Sequence, residues 1–166
     1  MKKHLFFGIL FCLSAMPFMR IMAETIVDGQ STEGKVFWVT FMQADQDPNN
    51  DLTLSLSISS RENCQVTISN PFTGYSETVS VAANQMQLVE LYSGNVLVSN
   101  ARSAMETSGK VCYSAYSEKI DTCALHVTST ANISLFATNY KKATFDATNI
   151  LPTASLLDEY IIQTYT

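Results

Sequence analysis

In DLTLSLSISS, residues 51–60, apolar and hydroxyl side chains alternate without a break: Leu52, Leu54, Leu56 and Ile58 against Thr53, Ser55, Ser57 and Ser59. A strand turns successive side chains to opposite faces, so the four aliphatics line one face and the hydroxyls the other. One face packs and the other is wet. Downstream, CQVTIS repeats the scheme with Cys64, Val66 and Ile68 inward. ETVSVAANQMQLVEL carries Val79 and Val81, a turn at Ala83-Asn84, then Met86 and Leu88. NVLVS, KVCYSAY, CALHVTS, ANISLFATNY and EYIIQTY supply further strand candidates. Upstream, GKVFWVTFM is apolar on both faces, which predicts a central strand covered on both sides. Turn chemistry punctuates the runs at QDPNND, at NPFTG, at Ser93 to Asn95 and at Ser108-Gly109. The least strand-like stretch, SNARSAMETSG, reads as an exposed connection, and no long helical period is present. Many short strands with frequent turns predict an all-β fold, an antiparallel β-sandwich.

The chain opens MKKHLFFGILFCLSAMPFMRIMAE, with two lysines, an apolar run from Leu5 to Leu13 and then small residues. This is the pattern of an export signal, too short to span a bilayer, which takes about 20 apolar residues. Cleavage is expected after Ala23, giving a signal peptide at 1–23 and a binding module at 24–166, secreted or at the cell surface. Bulky Phe11 before Cys12 argues against lipidation there. Past Ala23 the chain has 7 basic and 15 acidic residues, a net charge of −8. Phosphate neutralisation needs clustered Lys and Arg, so a nucleic-acid partner is not expected. The one basic pair, Lys141-Lys142, reads as a solvated turn.

Three cysteines remain after the signal, Cys64, Cys112 and Cys123. Disulfides persist in an exported compartment, and an odd count leaves one over. Cys112 and Cys123 lie on successive strand candidates and are expected to bridge a hairpin, leaving Cys64 as a buried thiol beside Val66 and Ile68. No CxxC or Cys/His cluster has metal-ligand spacing, and no cofactor is expected. His126 is the only histidine past the signal, and in CALHVTS it falls on the face opposite Leu125 and Val127, which reads as structural. Asp158-Glu159 are adjacent and would project apart, unlike a glycosidase pair. In DQDPNND, Asp45, Asp47, Asn49 and Asp51 space oxygen ligands as a calcium loop does. Asn50 and Leu56, however, stand where that loop needs glycine and a bidentate Glu, so an acidic hairpin loop is the better reading.

GKVFWVTFMQ, LSLSISS, VTISNPFTGYSETVSVAANQ, LHVTSTANISLFATNY and FDATNILPTASLLDEYIIQTY occur in an order that resembles the N-terminal domain of IgG-Fc-binding proteins. The resemblance runs from about Gly34 to the last residue. It implies an extracellular β-rich binding or adhesive module, with host glycoprotein, mucin or the Fc part of IgG as partner, and further domains after it in bacterial surface proteins. The segments nearest the family's phrases are Asn139-Tyr140, Phe145 to Asn149 and Leu151 to Thr153. Asn139, Tyr140, Asp146 and Asn149 are therefore binding candidates. Cys112 and Cys123 are not part of that pattern.

The leading expectation is a non-enzymatic binding module. A spacer domain of a large surface protein is the alternative, and a hydrolase comes third. Binding predicts an exposed aromatic patch, for instance Tyr75, Tyr113 and Tyr116 converging on one rim, whereas a spacer predicts a polar surface throughout. The apolar faces of EYIIQTYT fit an interior strand, and the resemblance implies a domain that continues past Thr166, so an incomplete domain is also expected.

Overall fold

The structure, a computed structural model, describes residues 31–43, 51–95, 97–114, 120–142 and 144–156. Seven strands and one helix occupy them: β1 (Gly34–Val39), β2 (Asp51–Ser60), β3 (Cys64–Asn70), β4 (Tyr75–Val81), β5 (Met86–Asn95), α1 (Val98–Ser108), β6 (Leu125–Lys141) and β7 (Thr144–Ile150). All pairings among the strands are antiparallel. The all-β expectation holds. The seven strands form one hydrogen-bonded sheet, so the arrangement differs from the two separate sheets of a sandwich.

The reason is the 17-residue length of β6, which gives it four partners. Its first half pairs with β3 on one side (Ile68 opposite Val127) and β1 on the other (Phe37 opposite Val127). Its second half pairs with β2 (Leu56 opposite Ala137) and β7 (Thr148 opposite Ala137). Partners change around Ser129–Ile133. The β1 register slips between Gly34 and Val36 there, and β2 gives way to β3 through Arg61–Asn63. Local side chains fasten this bend: Ser60 Oγ donates to Asn132 O at 2.8 Å, and Gln65 N donates to Thr130 Oγ1 at 3.1 Å.

Through the bend β6 keeps its faces. Odd-numbered Leu125, Val127, Ile133, Leu135 and Ala137 are buried, together with Leu52, Leu54, Leu56 and Ile58 of β2 and Val66 and Ile68 of β3. The alternation in residues 51–60 thus directs the core as the sequence implies. Lys141 continues this inward face and is buried, so it is not part of the solvated turn expected of Lys141-Lys142.

Two other expectations are corrected. GKVFWVTFM is not a doubly covered central strand. Among the described strands β1 pairs only with β6, burying Phe37 and Val39 while Val36 and Trp38 stay exposed. Its free edge is partly covered by the turn after β7, where Thr153 Oγ1 donates to Val36 O and Pro152 lies so near Gly34 that a Cβ there would come within 2.3 Å of Pro152 Cβ. SNARSAMETSG is not an exposed connection but most of α1. Ala101 and Met105, one turn apart, are buried, and Gly109 ends the helix in the left-handed conformation at φ 75°.

Asn70, the last residue of β3, is fully buried and saturates its amide. Its Nδ2 donates to Val111 O (2.8 Å) and Thr122 O (3.1 Å), while its Oδ1 accepts from Phe72 N and Thr73 N. One side chain therefore shapes the β3–β4 turn and anchors both ends of the connection from α1 to β6. Asn70→Ala should cost about 2–4 kcal/mol by leaving those groups unpaired. Asn70→Asp should fare no better, because a carboxylate cannot donate to the two carbonyls. Urea denaturation checks this, and a loss under about 0.5 kcal/mol for both variants would refute the anchoring role.

Candidate binding face

The even-numbered residues of β6 point away from the core, and register extends that outer face across the sheet. Phe136 lies opposite Ser57 and Asn149, Tyr140 opposite Thr53 and Phe145, and Thr138 opposite Ser55 and Ala147. Ser57 is in turn opposite Leu88 of β5. The result is a Ser/Thr floor carrying Phe136 (42% exposed), Tyr140 (50%) and Phe145 (63%), with Leu88 and Met86 exposed on β5. Tyr140 and Phe145 meet edge to face, ring centres 6.3 Å apart and planes at 60°. Such pairs are favourable beyond their area, so the two rings brace each other while remaining open to solvent.

Nearer β1 on this face, Trp38 and His126 sit opposite each other and stack, with ring centres 4.5 Å apart and planes at 27°. His126 thus lies on the face that its alternation with Leu125 and Val127 implies. Its ring is taken up by an indole.

β7 is the sheet's most exposed strand, with every residue from Thr144 to Asn149 exposed. FDATN is therefore part of a strand, which among the described strands lies at the edge of the sheet, paired with β6 alone. On the inner side of β7 runs a groove of about 480 Å³ lined by Met42, Ala137, Asn139, Asp146, Thr148 and Ile150, among others. Asn139 faces Asp146 across the strands, and its Nδ2 donates to Met42 O at 3.4 Å.

Asn139, Tyr140, Asp146 and Asn149 therefore all fall on the β6–β7 ribbon, divided between its faces. Asn139 and Asp146 border the inner groove, while Tyr140 and Asn149 stand on the outer face with Phe136 and Phe145. Phe136 was not among the candidates, although its alternation with Ser134, Thr138 and Tyr140 in SLFATNY carries the signal. The proposed tyrosine rim does not form. Tyr113 is wholly buried, Tyr75 packs against the core, and Tyr116 lies outside the described residues.

Tyr75 belongs instead to a polar clasp between β4 and the segment after α1. Its hydroxyl donates to Glu77 Oε2, which also meets Lys110 Nζ at 2.9 Å, and Lys110 Nζ stands 5.4 Å from the centre of the Tyr75 ring. Burial, reinforced by the Glu77 bond, pushes the Tyr75 phenol well above its ordinary range. The hydrogen bond from Tyr75, and after it that from Lys110, lowers Glu77 below its ordinary 4.5.

Of the calcium-loop candidates, Asp45, Asp47 and Asn49 lie outside the described residues, and Asp51 opens β2 opposite Asn95. Among the described residues no three His, Cys, Asp or Glu side chains gather as a metal site. No described helix is long and apolar enough to cross a membrane. The signal segment 1–23, Asp158-Glu159 and EYIIQTYT also lie outside the described residues. Comparison with protein-family models, curated proteins and solved structures finds no match to this chain in any of the three.

The lowered Glu77 pKa fixes a sign. The clasp contributes stability above about pH 4.5, and that stability is lost as pH falls from there through the folded-state pKa. Melting temperatures from pH 7 to 3 should therefore fall more steeply for the native sequence than for Glu77→Gln. Parallel curves would show that the clasp does not couple to folding.

Proposed function

We propose that this chain is an exported, non-enzymatic binding module that engages an extracellular glycoprotein, with IgG Fc and mucin as the partners to try first, through the outer face of β6–β7. The observation that carries this is the exposed Phe136–Tyr140–Phe145 cluster. Three aromatic rings standing in water on a Ser/Thr floor have no packing role toward the core, and a spacer has no use for them. Aromatic anchors are enriched at protein interfaces and among their hot spots. Two segments that bear the family resemblance, LHVTSTANISLFATNY and FDATN, supply all three rings. A hydrolase is disfavoured by the engagement of His126 with Trp38, on a sheet face rather than in a cleft with a nucleophile.

The experiment is retention of residues 24–166 on immobilised IgG, Fc fragment and mucin. Phe136→Ser, Tyr140→Ser and Phe145→Ser should each weaken retention about tenfold or more, with melting temperatures near that of the parent. If none of the three partners retains the parent, or if all three variants bind as it does, this reading fails.

A further inference from the structure

The connection between α1 and β6 holds two thiols that the hairpin expectation placed wrongly. Cys112 is not on a strand paired with β6. It sits beside a parallel bridge between Tyr113 and Phe41, where Phe41 N donates to Cys112 O (2.7 Å) and Ser114 N to Phe41 O (2.9 Å). Cys123 stands two residues before β6. Both are buried, and both are free thiols in this structure, as is Cys64.

Two side chains hold these stretches together. Asn70 Nδ2 reaches Val111 O at 2.8 Å and Thr122 O at 3.1 Å, so those oxygens, each one residue before a cysteine, are at most 5.9 Å apart. On the next residues, Thr40 Oγ1 lies 3.2 Å from Cys112 O and 3.2 Å from Cys123 Sγ, placing those atoms at most 6.4 Å apart. Disulfides join residues whose Cα atoms are about 4.4–6.8 Å apart, a separation that these bounds admit, so the two thiols share one small region of the core in which a bond can close. Cys64 opens β3 while Asn70 ends it, six residues away and thus about 20 Å off in an extended strand. It is out of reach of the pair.

We propose that Cys112 and Cys123 are a paired modification site, a thiol couple that closes to a disulfide in an oxidising compartment and ties together the two ends of the connection between them, beside Thr40. A low-molecular-weight disulfide such as oxidised glutathione is the oxidant. The Cys123 thiolate attacks one of its sulfurs and expels one glutathione, giving a mixed disulfide. The Cys112 thiolate then displaces the second glutathione. The protein loses two thiol protons and two electrons, and one disulfide becomes two thiols. The order follows from access and from the burial of Cys112. Cys123 is 7% exposed against 0% for Cys112, and burial, with the nearby Cys123 thiol adding to it, pushes the Cys112 thiol up to about 12. Closure from the unfolded or locally opened chain is therefore faster than closure of the packed protein.

The test refolds the full chain, carrying Cys12→Ser to simplify the thiol count, with oxidised and reduced glutathione in one arm and dithiothreitol in the other. The products are alkylated, digested and mapped by mass spectrometry. The expected product is two hydrogens lighter, links Cys112 to Cys123 and leaves Cys64 fully alkylated. Its melting temperature should exceed that of the dithiothreitol arm by on the order of 10 °C, as for the closing of so short a loop. Cys64→Ser should keep both the link and the shift, and Cys112→Ser should lose both. The native protein should acquire the link more slowly than the refolding chain. Alkylation of both Cys112 and Cys123 in the glutathione arm, a cross-link that involves Cys64, or a linked product that melts below the reduced one would overturn the proposal.

Discussion

The rest of the sheet depends on β6 finding partners on both edges along its whole length. A strand of 17 residues with one neighbour per side would need equally long partners, and none is present among the described residues. The chain instead lays two shorter strands end to end along each edge, β2 then β3 on one, β7 then β1 on the other. The joints fall together at Ser129–Ile133. β4 and β5 add outside β3 and β2 in the same manner, with the turn at Ala82–Gln85 as their joint and Asn84 at φ 59° turning it. A single bend shared by three ribbons lets one sheet curl while Leu56, Val66, Val127 and Leu135 stay on the same side. Its inner surface does the work that a second sheet does in a sandwich.

That economy leaves the ends of the core to loops, and there buried polar groups replace strand pairing. Asn70 supplies four hydrogen bonds at the lower end of β3, and Thr40 supplies two contacts beside it. Arg102 reinforces the same connection through Asp121 at 2.8 Å, a pair with only 13% and 8% of its side chains exposed. The described residues of 109–114 and 120–124 carry only an isolated bridge at Tyr113, so such contacts largely determine where Tyr113, Cys112 and Cys123 sit. A buried amide with every group satisfied fixes geometry more narrowly than apolar packing, because partners at the wrong distance leave it unpaired.

How far this was legible in the sequence follows from where burial alternates. DLTLSLSISS, CQVTIS and CALHVTS have one fully buried face and one more open face, although Ser55 on the open face of β2 is itself buried, so period two placed Leu56, Ile68, Val127 and His126 correctly. TFDATNI has no such contrast because β7 is exposed on both faces, and the residues that make it a strand are those of β6 opposite. GKVFWVTFM gave the reverse error. Apolar residues on both faces normally mean two covers, yet here Trp38 and Val36 face outward, the indole resting on His126. α1 was hidden because its apolar anchors Ala101 and Met105 are few and sit among small polar residues that favour caps and turns. Lys141 escaped because its alternation with Asn139 and Ala137 says inward, whereas its chemistry says outward. The candidate site was legible only in part. The β6–β7 segments were found by resemblance, but their division between two faces, and the role of Phe136, needed the register.

The exposure of β7 bears on what the outer face can bind. Among the described strands β7 has a neighbour on one side only, with exposed rings beside it, and sheet edges of this kind are ordinarily shortened, charged or covered. β1 is partly covered by the turn at Pro152–Ser155, whereas β7 carries only Asp146 as a charge. Phe136, Tyr140 and Phe145 stand beside this edge rather than at random over the sheet. A partner seated on the rings would therefore also lie within reach of the β7 backbone, and would gain directional hydrogen bonds as well as apolar area. Rings alone would accept many greasy surfaces. If the proposed function holds, rings beside a row of peptide groups would favour a partner that presents an extended segment of polypeptide.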